Sequence, residues 1–262
     1  MMRYVRLLGV QLRASFQLAM QYRVDFLVGG TMSLFWLTWN LLPMVILWRS
    51  RPAIAGWTFP EALLVAAWFT LLRGLLEGAV QPSLIAVVEH IRKGTLDFVL
   101  LKPADAQFLI STSKFEPWRA LDALGACGMM WYALHALGRS PRPMHFAMAL
   151  ALTVASAALL YALAILVVSA AFWVVRLDNL IYLFNSVFDA GRWPAAVFRG
   201  AWRLLFTFVI PLALMTTYPA EALLGRLAPS TLGLALGGAA LFTLAARLVW
   251  LRAIGHYTSA SS

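Results

Sequence analysis

Apolar runs of about twenty residues, separated by short polar and basic stretches, recur along the whole of this 262-residue chain. A helix rises about 1.5 Å per residue, so about 20 apolar residues cross a hydrocarbon core roughly 30 Å thick. The pattern predicts six spans, at about residues 25–48, 61–81, 118–137, 146–175, 204–218 and 229–250. The fifth is the shortest and is interrupted by Pro211, and residues 219–228 read as a re-entrant or interfacial turn. Ahead of the spans, residues 3–22 interleave Arg3, Arg6 and Arg13 with Leu7, Leu8, Leu12, Phe16 and Leu18. That spacing predicts an amphipathic helix lying along the membrane surface. The stretch 89–117 is too polar to cross. Residues 176–203 are a second polar region, in which NLIYLFNSVF is apolar enough to sit at the interface and the RWP triplet at 192–194 breaks the helix. Both are expected as cytoplasmic loops. Pro82 is expected to bend the second span, which continues as an amphipathic helix until Gly94 stops it. The expected fold is therefore all-α, one transmembrane domain over residues 1–262 with an N-terminal interfacial helix.

Composition agrees, since 62% of residues are hydrophobic and 12% are charged, against roughly a quarter charged in soluble domains. The net charge of +10 changes the picture only through its placement. With the N-terminus inside, fifteen basic residues fall on the cytoplasmic side and five outside (Arg49, Arg51, Arg139, Arg142, Arg226), while Arg73 lies within a span. This bias favours both termini in the cytoplasm, with the cations meeting lipid headgroups rather than nucleic acid. The excess of 18 Arg over 3 Lys fits a GC-rich bacterial coding sequence and indicates no function. The N-terminal segment lacks a continuous apolar core and a small-residue cleavage site, so it is not read as a removed signal peptide. Cys127, alone in the chain, can form no internal disulfide.

Catalytic chemistry is not visible. His90, His135, His145 and His256 are scattered without metal-ligand spacing, and neither a P-loop nor a G-x-S-x-G motif occurs. No catalytic residue, metal or cofactor is expected in the chain. Arg73 and Glu77, one helical turn apart in the second span, can pair on one face. They are either a structural ion pair or part of a substrate path. Arg119 and Asp122 near the start of the third span read more simply as a snorkelling, structural pair. Gly233 and Gly237 would permit close helix approach in the last span.

The segment EHIRKGTLDFVLLKPADAQF, residues 89–108, resembles the cytoplasmic loop of type-2 ABC (ABC-2) export permeases of the small six-span bacterial branch. The loop pattern I-R-x-G-x-L-D-x-x-L-L-x-P is matched by Ile91, Arg92, Gly94, Leu96, Asp97, Leu100, Leu101 and Pro103. YPAEALLG at 218–225 and the closing HYTSASS are similar to the same branch. The resemblance implies a permease of the bacterial inner membrane that pairs with an identical or related second permease. It also implies two copies of a separate ABC ATPase, which would carry the ATP and Mg. The ATPase-contacting coupling segment is then expected at Glu89, Arg92, Lys93, Gly94, Thr95, Leu96, Asp97, Phe98, Leu101, Lys102 and Pro103, with 176–203 as a second contact. The rival functions are an ATP-independent carrier or channel using Arg73 and Glu77, and a membrane-embedded enzyme.

Overall fold

The computed structural model describes residues 2–173, 178–206 and 211–256. The amphipathic segment forms α1 (Met2–Gln21), followed after Tyr22 by α2 (Arg23–Ser50). A two-stranded hairpin, β1 (Ala53–Ile54) and β2 (Trp57–Thr58), turns the chain back. Its loop residues Ala55 and Gly56 have φ of 50° and 82°, the left-handed pair that a type I′ turn requires. The indole Nε1 of Trp48 donates to the Trp57 carbonyl at 2.9 Å and ties the hairpin to the end of α2.

The next helix starts where Glu61 accepts the Thr58 N–H at 3.0 Å, with Pro60 in its first turn. It runs as α3 (Phe59–Leu75), a π turn (Leu76–Val80) and α4 (Gln81–Arg92). Pro82 does interrupt this helix, and the accommodation is visible in the backbone. Lacking an N–H, Pro82 leaves the Gly78 carbonyl without its i+4 donor, and the Glu116 N–H supplies one at 2.8 Å. Gly94, at φ 64°, ends α4, with the Thr95 N–H reaching back to the His90 carbonyl at 2.9 Å. Short helices α5 (Asp97–Leu100) and α6 (Ala106–Ser111) follow, then α7 (Ala120–Ala136), entered through a 3₁₀ turn at Pro117–Arg119. The chain continues through α8 (Pro143–Ser169), α9 (Asp178–Phe188), α10 (Ala201–Leu204), a π turn (Ala213–Thr217), α11 (Tyr218–Leu223) and α12 (Pro229–Gly255).

The protein is an all-α, multi-pass membrane protein, with four described helices long and apolar enough to cross a bilayer: Arg23–Ser50, Phe59–Arg92, Pro143–Phe172 and Pro229–Gly255. The third expected span is α7, which at 17 residues is shorter than those four. Of the fifth, the described residues hold the end of α10 and, from Leu212, a helical stretch that includes a π turn at Ala213–Thr217. Residues 174–177 and 207–210, which carry the expected end of the fourth span and the middle of the fifth, lie outside the described residues, as does the tail from 257.

The core gathers around α3, where every residue from Glu61 to Phe69 is buried, and around Leu152, Leu159, Leu160 and Ile165 of α8. A helix apolar on every face is one surrounded by others. By contrast α2 and α12 expose Leu27, Phe35, Trp36, Leu234 and Leu241, faces that suit lipid as their solvent.

Within the second polar stretch, expected as a loop, residues 189–195 contact the long helices. Asp189 bonds Arg73 in the last turn of α3 at 3.2 Å, Arg192 donates to Asn40 of α2 at 2.7 Å, and the Trp193 ring stacks on Trp48 at 6.3 Å. The Ala195 N–H donates to Thr217 at 3.1 Å. Asp189 and Arg192, two of the charges of this stretch, thus find partners on neighbouring helices.

Candidate functional site: a projecting loop and an intramembrane ion cluster

The loop after α4 divides at Pro103. In its first half, Leu96 is 1% exposed and pins the turn to the body of the protein. Phe98 and Leu101, by contrast, stand 71% and 80% exposed. Lys93, Lys102, Pro103, Glu89 and Arg92 are also exposed, with Gly94, Thr95 and Asp97 half-buried. The expected contact residues thus form one surface, two large apolar side chains among cations, with Leu96 as its anchor instead of a part of its face. Lys93 pairs with Glu89 at 3.4 Å, and His90 Nδ1 lies 2.8 Å from the Thr95 hydroxyl.

The second half, from Asp105 to Phe115, is bolted down. Asp105 caps α6 by accepting the Phe108 N–H at 3.0 Å and takes a two-pronged contact from Arg247 of α12, at 3.3 and 2.5 Å. Arg247 also donates to Gln107, whose amide donates to the Tyr161 hydroxyl of α8 at 3.0 Å. Ser111 joins Tyr161 at 2.7 Å, and from α1 Tyr4 accepts the Asp105 N–H at 3.2 Å while Ser15 accepts the Phe115 N–H at 3.2 Å. Burial pushes the Asp105 carboxyl up, but Arg247 and the backbone N–H groups outweigh it and hold it below the ordinary aspartate range. The expected contact residues end at Pro103, and the clamp lies beyond them. Its signal was available in Arg247, a lone cation within an otherwise apolar last span.

Arg73 and Glu77 do pair, at 2.7 Å, but within a larger cluster. Arg119 bonds Glu77 and lies 3.4 Å from Asp122, which accepts from Ser33 of α2. Arg73 reaches Asp189, and Arg192 lies 3.5 Å from the same carboxylate. Three guanidinium groups thus meet three carboxylates drawn from α3 and the π turn after it, α7 and the 3₁₀ turn before it, and the 189–192 turn. Such balance is what makes charge tolerable at membrane depth. Glycines bring the helices close enough: a Cβ on Gly74 would sit 2.8 Å from Asp122 Cβ, and one on Gly78 2.8 Å from Arg119 Cβ. Beside the cluster is a cavity of 220 Å³ lined by Trp36, Asn40, Phe69 and Thr70 together with the ion pairs. No group of three or more His, Cys, Asp or Glu suited to a metal occurs among the described residues.

Comparison with known proteins agrees with this architecture. No curated protein and no solved structure matches the chain. The family model described as ABC-2 family transporter protein matches residues 34–261, from early α2 through α12 and into the tail. The match takes in the anchored loop, the ion cluster and the Arg247 clamp alike, and the chain belongs to the ABC-2 family of transporter membrane proteins.

Proposed function

We propose that this permease is the membrane subunit of an ATP-driven exporter. It works with two copies of a separate ABC ATPase and with a second permease, identical or related. The observation that carries this reading is the exposed pair Phe98 and Leu101, held on a rigid turn by buried Leu96 and ringed by Lys93 and Lys102. Two large apolar side chains at the tip of a projecting loop have no use in water and form a natural anchor for a protein groove. In this reading the loop is cytoplasmic, as the excess of basic residues on its side favours. ATP-driven closure of the ATPases presses on it, and the Asp105–Arg247 clamp passes the displacement to α12 and α8. Apolar spans and short connections point to an amphiphilic or membrane-soluble substrate, taken from the cytoplasm or the inner leaflet of a bacterial inner membrane.

The test is co-purification from detergent of the chain expressed with its genomic neighbours. A stoichiometric P-loop ATPase should co-elute, and the double variant Phe98→Asp, Leu101→Asp should lower its recovery about tenfold or more while the permease still inserts. Full recovery of the ATPase with that variant would sink the docking surface. A second reading, an ATP-independent carrier, is favoured by the ion-lined cavity beside Arg73 and Glu77. It would be supported by substrate flux through the purified chain alone, without ATP or partner.

A further inference from the structure

An open trough of 600 Å³ lies between α1, α3 and α7. Leu12 and Phe16 of α1 and Leu75 of α3 form its apolar walls, and the small side chains of Ala120 and Ala123 on α7 leave it deep. Its charged lining residues are Arg13, Glu116 and Arg119. Arg119 is already engaged by Glu77 and Asp122, and Glu116 feels Arg119 and Lys114 as neighbouring cations and Glu77 as a neighbouring anion.

The three faces of α1 explain the position of the trough. Gln11 and Ser15 bond Thr112 and the Phe115 N–H, so this face is turned to the protein. On the next face Val5, Leu12 and Phe16 are exposed and apolar. Beside it run the exposed Arg3, Arg6 and Arg13. Leu12 and Arg13 are adjacent, so at the trough the apolar face gives way to the basic one. Bilayer depth leaves no void of this size empty, and a guanidinium at the boundary of apolar surface is placed for a phosphate.

We propose that this trough is a binding site for one anionic phospholipid of the leaflet on the α1 side, its acyl chain lying along Leu75 and Ala123 and its phosphate against Arg13. The inference rests on the bilayer placement of the spans and is independent of the ATPase reading. The lipid is a resident ligand that braces α1 against the α3–α7 pair.

The test uses the full chain in nanodiscs of phosphatidylglycerol and phosphatidylcholine with the same acyl chains, released for native mass spectrometry. The wild type should retain one phosphatidylglycerol. Arg13→Ala should lower the preference for phosphatidylglycerol about fivefold, and Ala123→Phe should lower retention of both lipids alike. Ala120→Phe, on the same wall, serves as the second filling variant if Ala123→Phe melts below wild type. Retention of both lipids equally by the wild type, or a preference indifferent to Arg13→Ala, would overturn the proposal. So would a disulfide between copies of a Leu75→Cys variant in a Cys127→Ser background, because a second permease would then cover the trough. Release of the lipid specifically on ATP turnover by the assembled transporter would make it cargo and would equally overturn a resident site.

Discussion

Gly74 and Gly78 in the second span and Gly233 and Gly237 in the last share one spacing, and their surroundings are opposite. The first pair abuts α7 so closely that a methyl group on either would collide, whereas a Cβ on either of the second pair would meet nothing within 4 Å. Spacing of small residues states only what approach a helix permits. At the first pair polar partners hold the approach, because Arg73 and Glu77 flank it and their complements lie on the 3₁₀ turn before α7 and on the 189–192 turn. The last span is packed through another face, where Ala235, Ala239 and Ala246 are buried. Leu and Ala surround the second pair, and hydrocarbon side chains gain little over lipid by meeting one another in a bilayer.

The sharpest way to break this contrast is to remove the shared cation. Arg119→Ala leaves Asp122 without its guanidinium and Glu77 with Arg73 alone, and should cost about 3 kcal/mol, the low end of the penalty for orphaning half of a buried ionic contact. It would be read as a large fall in the melting temperature of the purified permease; an unchanged melt would mean the cluster contributes nothing to the fold. Next comes the seam itself. Gly78→Val should destabilise by about 1–3 kcal/mol through overpacking, while Gly237→Val should stay within about 0.5 kcal/mol. Equal losses in chemical denaturation would show that the Gly233–Gly237 face of the last span is packed after all.

The smallest effect is expected where an ionic contact meets solvent. Asp105 and Arg247 are each 36% exposed, so Asp105→Asn should change stability by about 0–1 kcal/mol after solvent screening. Because the folded carboxyl is held below its ordinary value, its contribution is present above the unfolded aspartate range and disappears as pH falls through the depressed value. Stability measured downward from neutral pH should therefore show a steeper acid limb in wild type than in Asp105→Asn. Parallel limbs would remove Asp105 from the account.

Much of this architecture was legible from residues alone, and the exceptions share one cause. The i,i+4 spacing of Arg73 and Glu77, the i,i+3 spacing of Arg119 and Asp122 and the Gly94 stop are local, and each is realised. The contacts of Asp189 and Arg192 are not local, and hydropathy counts charges one residue at a time while the bilayer responds to the net charge of a cluster. Their partners Arg73 and Asn40 stand 116 and 152 residues away in sequence. Leu96 was grouped with Phe98 and Leu101 because a short loop offers too few residues to separate an inward side from an outward one.

The helix from Phe59 to Arg92 contains 34 residues, about 51 Å at helical rise and so roughly 20 Å longer than the hydrocarbon it crosses. Its surplus is a shaft, and the backbone bond from Glu116 to Gly78 works as a collar that fixes α7 to it near the π turn. Sliding along that shaft would break the collar, whereas tilting of the joined pair preserves it. In the proposed docking, a small push at Phe98 or Leu101 would act at the end of a long arm, with a single proline-vacated carbonyl as its fulcrum.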